Sequence, residues 1–208
     1  PGYGVVRDDD QDEHPHGSIA MRDAIVQSCN AYFAQLAVRL GPRPLLDAAT
    51  LVGISVARDN SVDRLRDTLP HAAYGQADVV ATPLRMARVA AAIANGGVLR
   101  DPRIDRVASS TANSSDQRFL SPDAARLLAS SLREAVLSGT GRALASHPGR
   151  IAGKTGTAEN HNAPSHAWFV GFAPYDHAEK RIAFAVLVEN AGYGGAIAAP
   201  AAGEIVSA

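Results

Sequence analysis

Lys154-Thr155-Gly156-Thr157 sets an ammonium, a hydroxyl, a bare backbone position and a second hydroxyl side by side in an apolar run. A lysine there is costly to bury unless a partner uses its charge. On a strand the side chains alternate, so Thr155 and Thr157 share one face and Gly156 removes bulk between them. At a sheet margin that arrangement offers hydroxyl donors to a carboxylate and backbone groups to an extended peptide. The same four residues also suit an ordinary edge strand with one solvated lysine, so they carry little alone.

Their company is Ser28-Cys29-Asn30, far upstream. Serine and asparagine between two helices are usually caps. An S-x-N triplet on an inter-helix turn followed by K-T-G on a late strand, however, reproduces two of the three motifs shared by penicillin-binding proteins and class A β-lactamases. The third, S-x-x-K, supplies the nucleophile. Lys154 and Lys180 are the only lysines, and three residues before them stand Ile151 and His177, so no S-x-x-K occurs in this chain.

Other candidates are weaker. His14, His16, His161 and His166 lack the helical spacing and acidic partner of a zinc hydrolase and read as surface or loop residues, so neither metal nor cofactor is expected. Cys29 is the one cysteine, which excludes an internal disulfide and a thiolate-rich metal site. Trp168 and Phe169 read as core, Glu159 as a partner for an arginine, and Gly75-Gln76 as a structural loop contact.

The elements that must position these residues follow from punctuation and period. Pro1 to Gly17 reads as loop. Ile19, Ala20, Ala24 and Ile25 predict one short helix, and Tyr32, Phe33, Leu36 and Leu40 a second that stops at Gly41-Pro42. A third covers Leu45 to Val52, followed by an irregular polar stretch through Pro70. Thr82-Pro83 and Ser121-Pro122 open two more, closed at Asn95-Gly96-Gly97 and Gly139. Residues 18–145 thus read as mainly helical and carry S-x-N, whereas 146–208 hold apolar runs at Ile151 to Ala158, His166 to Ala173 and Ile182 to Asn190. Short loops predict antiparallel pairing in sequence order, and a helix over Ala199 to Val206 closes the chain. The class is α+β.

With 208 residues, 46% of them hydrophobic, the chain can bury one core. Twenty basic against twenty-one acidic residues leave a net charge of -1, which excludes a general attraction to nucleic acid.

Beyond the motifs, HGSIAMRDAIVQSCNAYFAQLAVRLG resembles the S-x-N segment of class B penicillin-binding proteins, and YGQADVVATPLRMARVAAAIANGGVLRDP their glutamine-glycine loop and following helix. GKTGTAE, HAWFVGFAP and AVLVENAGYGG with AAPAAGEI resemble the terminal strands and closing helix; SCN with KTGTAE and HAWF is most similar to the PbpA-like actinobacterial group.

That resemblance implies a DD-peptidase (serine β-lactamase-like) fold and a partial transpeptidase domain over 1–208, with the N-terminal strands and the nucleophile helix outside the chain. It implies a peptidoglycan D,D-transpeptidase that cross-links D-Ala-D-Ala stem peptides through a serine acyl-enzyme and is acylated by β-lactams. Ser28 would relay a proton to the leaving amine, Asn30 would position the substrate amide and the first-motif lysine, and Lys154 would manage the Ser28 proton. Thr155, Gly156 and Thr157 would bind the substrate carboxylate, with the Thr157 N–H completing the oxyanion hole. The upstream part of the same protein, carrying S-x-x-K, would be the essential partner, with cell-wall synthesis or division proteins beyond it. The place of action would be the extracytoplasmic face of the membrane, held by an anchor outside this chain. A serine β-lactamase or D,D-carboxypeptidase, and a non-catalytic penicillin-sensing domain, stay open as alternatives. Without its nucleophile, the chain alone is expected to be inactive.

Overall fold

The computed structural model describes residues 5–8, 15–102 and 116–208. Helices α1 (Met21–Gln27), α2 (Asn30–Leu40), α3 (Pro42–Val52), α4 (Val62–Ala72), α5 (Pro83–Ala94), α6 (Pro122–Leu137) and α7 (Ala198–Ser207) pack with strands β1 (Val98–Leu99), β2 (Gln117–Arg118), β3 (Ala152–Asn160), β4 (Ala163–Ala173) and β5 (Ile182–Val188). β1 and β2 form a small antiparallel ribbon inside the region read as helical.

The main sheet has the order β3-β4-β5 and is antiparallel throughout, as the short loops predict. Gly156 faces Trp168 across the first pairing, and Trp168 faces Leu187 across the second. The sheet is covered on both sides because β4 is apolar on both alternating faces. Ala167, Phe169 and Ala173 join Ala198, Ala199 and Ala202 of α7, while Phe172 joins Leu132 of α6 and Ile93 and Ala94 of α5. Burying Phe169 and Phe172, both fully covered, contributes roughly 1.5–3 kcal/mol each. A separate cluster of Ala37, Leu46, Ala49, Leu65 and Leu69 ties α2, α3 and α4 together.

Helix α4 corrects the irregular stretch expected before Pro70. Its apolar residues Val62, Leu65 and Leu69 sit three and four apart on an otherwise charged helix, and the Arg64 N–H donates to the Ser61 hydroxyl at 3.3 Å as a cap. Pro70 lies in the last turn, where its missing N–H leaves the Arg66 carbonyl without a ladder donor and the helix ends two residues later.

Candidate active site

Ser28 ends α1 in the left-handed conformation, φ 61° and ψ 42°, where glycine is the usual occupant. The Cys29 N–H closes the turn onto the Ala24 carbonyl at 2.9 Å. A β-carbon there costs about 1 kcal/mol, so a hydroxyl-bearing residue held at this point invites a functional explanation.

Neither polar member of the triplet is the N-cap of the following helix, Ser28 being the C-cap of α1 and Asn30 the first residue of α2. The N-cap of α2 is Cys29, whose Sγ accepts from the Tyr32 N–H at 3.4 Å. Burial, with the Asp8 charge adding to it, pushes the Cys29 thiol up. Asn30 instead donates from Nδ2 to the Arg7 carbonyl at 3.2 Å, which ties the turn to the segment ahead of α1.

Gly139, read from the sequence only as a helix end, and Thr140, which sequence reasoning passed over, lie between α1 and β3. Gly139, one residue past the Ser138 C-cap of α6, is so close to α1 that a β-carbon would lie 2.3 Å from the Val26 carbonyl oxygen. Thr140 follows, and its Oγ1 accepts from Lys154 Nζ at 3.0 Å and from the Thr155 hydroxyl at 2.6 Å. Lys154 also donates to the Thr155 carbonyl at 3.0 Å and lies 3.3 Å from Thr155 Oγ1. Burial pushes its ammonium down to about 8 from the ordinary 10.5. The expected hydrogen bond from Lys154 to Ser28 is not among these. The ammonium faces Thr140 and Thr155, and the Val26–Gly139 contact ties α1 to the end of α6 beside Thr140. The Ser138-Gly139-Thr140-Gly141 run was the available signal, but a lone threonine between glycines reads as turn chemistry.

Further along β3, the Gly194 N–H donates to Thr157 Oγ1 at 3.3 Å, and Gln76 Nε2 donates to the Thr157 carbonyl at 3.3 Å. Gln76 thus makes its loop contact on the K-T-G strand itself. A β-carbon on Gly194 would stand only 2.2 Å from the Gly156 oxygen, so that glycine is needed for the closeness of these chains, whereas one on Gly156 would meet Trp168 Cβ at a tight 3.1 Å. Trp168, read as core, is half-buried, whereas Phe169 is fully buried.

Of the histidines, His161 is exposed, as read, and His14 lies outside the described residues. His166 is half-buried, its Nδ1 accepting from the Asn190 N–H at 3.0 Å. His16 departs from the surface reading: its Nδ1 lies 3.2 Å from Asp8 Oδ2, and both side chains are largely covered.

A turn presenting serine and asparagine, a lysine-bearing sheet-margin strand with two threonines, and helices on both sheet faces define the class. The family model of the penicillin-binding protein transpeptidase domain matches residues 2–207, and the chain belongs to that family. Within it the chain falls in the PbpA-like group. It is 34% identical over 222 residues to the peptidoglycan D,D-transpeptidase PbpA of Mycobacterium tuberculosis, covering 92% of this chain and 44% of that protein. The peptidoglycan D,D-transpeptidase MrdA of Haemophilus influenzae is 27% identical over 99% of this chain and 39% of its own length. The crystal structure of the M. tuberculosis protein superposes with a TM-score of 0.71 at 32% identity, covering 91% of this chain and 48% of that one. Its ceftriaxone acyl-enzyme complex gives 0.72 at 30% identity. The chain thus spans less than half the length of these relatives.

Proposed function

We propose that this chain supplies two walls, S-x-N and K-T-G, of the active site of a serine D,D-transpeptidase that cross-links peptidoglycan stem peptides. The reading rests above all on Lys154 of K-T-G, hydrogen-bonded to Thr140 beside the contact of Gly139 with α1, the helix that Ser28 ends in the left-handed conformation. In this reading a serine in an upstream S-x-x-K gives its proton to that motif's lysine and attacks the penultimate D-Ala carbonyl, the C–N bond breaks, the terminal D-Ala leaves as an amine, and the amine of a second strand then takes the acyl group and frees the serine. Ser28 gives that amine its proton and draws another from Lys154, which exchanges Thr140 for Ser28 when substrate arrives. An amine near 8 is about one-tenth neutral at pH 7, so Lys154 can both give and retake a proton. Thr155 and Thr157 bind the terminal carboxylate by donating their hydroxyl protons, and Asn30 holds the acyl-side amide. A β-lactam enters by the same route and stalls as the acyl-enzyme.

The place of action is the outer face of the cell membrane. Among the described residues no helix is long and apolar enough to cross a membrane. The test compares the 208-residue chain with the protein extended upstream to include S-x-x-K, each incubated with a fluorescent penicillin and peptide-mapped. The longer chain should be labelled on the upstream serine and the short one not at all. Label on Ser28 in the short chain, or none on the extended folded chain, refutes the proposal. Rapid loss of label by hydrolysis would favour a carboxypeptidase or β-lactamase.

A further inference from the structure

We infer that Asp8, His16 and Cys29 form a binding site for a zinc-like divalent cation, which clamps the segment ahead of α1 to the S-x-N turn. One oxygen of Asp8, one ring nitrogen of His16 and the Cys29 sulfur all lie within 4.8 Å of one another. Two pairs are already at bonding separation for a shared metal. His16 Nδ1 is 3.2 Å and Cys29 Sγ 3.6 Å from Asp8 Oδ2. Bond lengths near 2.0–2.3 Å put the donors of a tetrahedral zinc about 3.3–3.6 Å apart, so only the remaining pair has to close.

The donors are buried as a coordinating set is. Asp8 and His16 side chains are 14% and 13% exposed and Cys29 4%. The second carboxylate oxygen of Asp8 accepts from the Ala31 N–H at 3.2 Å, which aims the first at the cluster, as outer bonds do around metal ligands. The three residues line a cavity of about 500 Å³, with room for water in a fourth position.

Chemistry selects the ion. Calcium and magnesium want oxygen donors, whereas one sulfur, one nitrogen and one oxygen suit zinc or cobalt. A thiolate and a carboxylate neutralise a dication, so Arg39 in the same cavity wall is not opposed. The site would also account for a cysteine at the centre of the triplet. Cys29 caps α2 between Ser28 and Asn30, and a metal on its sulfur fixes both neighbours. The inference does not depend on the acyl-transfer reading, because binding is read without activity.

The test uses the 208-residue chain freed of metal with a chelator, then titrated with Co²⁺ alone and with Zn²⁺ alone. One equivalent of Co²⁺ should produce a thiolate-to-cobalt charge-transfer band that Zn²⁺ abolishes. Cys29 is the only cysteine, so the band reports it unambiguously. Zn²⁺ should also slow modification of Cys29 by a thiol reagent by about tenfold or more. His16→Ala and Asp8→Asn should weaken Zn²⁺ binding by about tenfold or more while leaving the circular dichroism spectrum unchanged, and Cys29→Ser should remove the band. A cobalt spectrum without thiolate absorption, wild-type affinity in both His16→Ala and Asp8→Asn, or no protection of the wild-type thiol overturns the proposal. The last arm needs no variant and decides the matter even if every substitution unfolds the chain.

Discussion

Thr140 is the hinge of the candidate site, and Thr140→Val tests it with little change of shape. The substitution removes one acceptor that takes hydrogen bonds from Lys154 Nζ at 3.0 Å and from the Thr155 hydroxyl at 2.6 Å. A hydrogen bond to a charged donor is worth about 1.5–3 kcal/mol, but Thr140 is exposed, so water recovers part of that and about 1 kcal/mol should be lost. Only the protonated amine uses the bond fully, so the loss falls on the charged form. The Lys154 ammonium, already held down at about 8, should drop by roughly 0.7 of a pH unit. With only two lysines in the chain, Lys154 and Lys180, isotope-labelled lysine gives an NMR titration with two resolvable curves. Thr140→Ser, which keeps the acceptor, should restore the wild-type curve. An unchanged or raised Lys154 midpoint in Thr140→Val would mean that burial alone sets it and that Thr140 positions nothing.

Three other outcomes are expected. Lys154 titrates near 8 when folded and at its ordinary 10.5 when unfolded, so the unfolded chain binds more protons between those values and stability rises with pH across that window. Relative to Lys154→Met, the wild type should therefore gain at most about 3 kcal/mol between pH 8 and 10.5 in urea unfolding, and a flat difference refutes the burial argument. Gly139→Ala puts a carbon 2.3 Å from the Val26 oxygen, backbone against backbone, and should cost about 1–3 kcal/mol in thermal unfolding. In the protein extended through S-x-x-K, Lys154→Ala should slow penicillin acylation by about 10²-fold, whereas a near-normal rate would return Lys154 to an ordinary solvated lysine.

Most of the fold was legible because the signals were local. Proline after a hydroxyl cap opened α5 and α6 where expected, and loops too short for a crossover left β3, β4 and β5 no option but antiparallel pairing. Helix α4 was missed because aspartates and arginines mask its three apolar residues. The site was legible as residue types but not as contacts. Ser28, Asn30 and Lys154 could be nominated from motif order, while the partner of Lys154 depends on where α6 ends. That is fixed by a glycine whose value lies in the side chain it lacks. The Asp8, His16 and Cys29 cluster was illegible for a similar reason. Its members come from a loop and a cap with no helical spacing, so only the return of the chain onto α2 assembles them.

Ser28 offers the sharpest separation of function from folding. Its left-handed backbone is one that glycine adopts without cost, so Ser28→Gly should stabilise the chain by a few tenths to about 1 kcal/mol, less the greater freedom glycine gives the unfolded state. Ser28→Ala keeps the β-carbon and its strain, and should gain nothing. If the hydroxyl is there to move a proton, both variants of the extended protein should lose penicillin acylation to a similar degree although their stabilities differ. A serine retained for structure predicts the reverse pattern: glycine would be tolerated in acylation and preferred in stability. Thermal unfolding and acylation rates of the two variants, measured side by side, distinguish these outcomes. Normal acylation in Ser28→Gly would remove Ser28 from the mechanism.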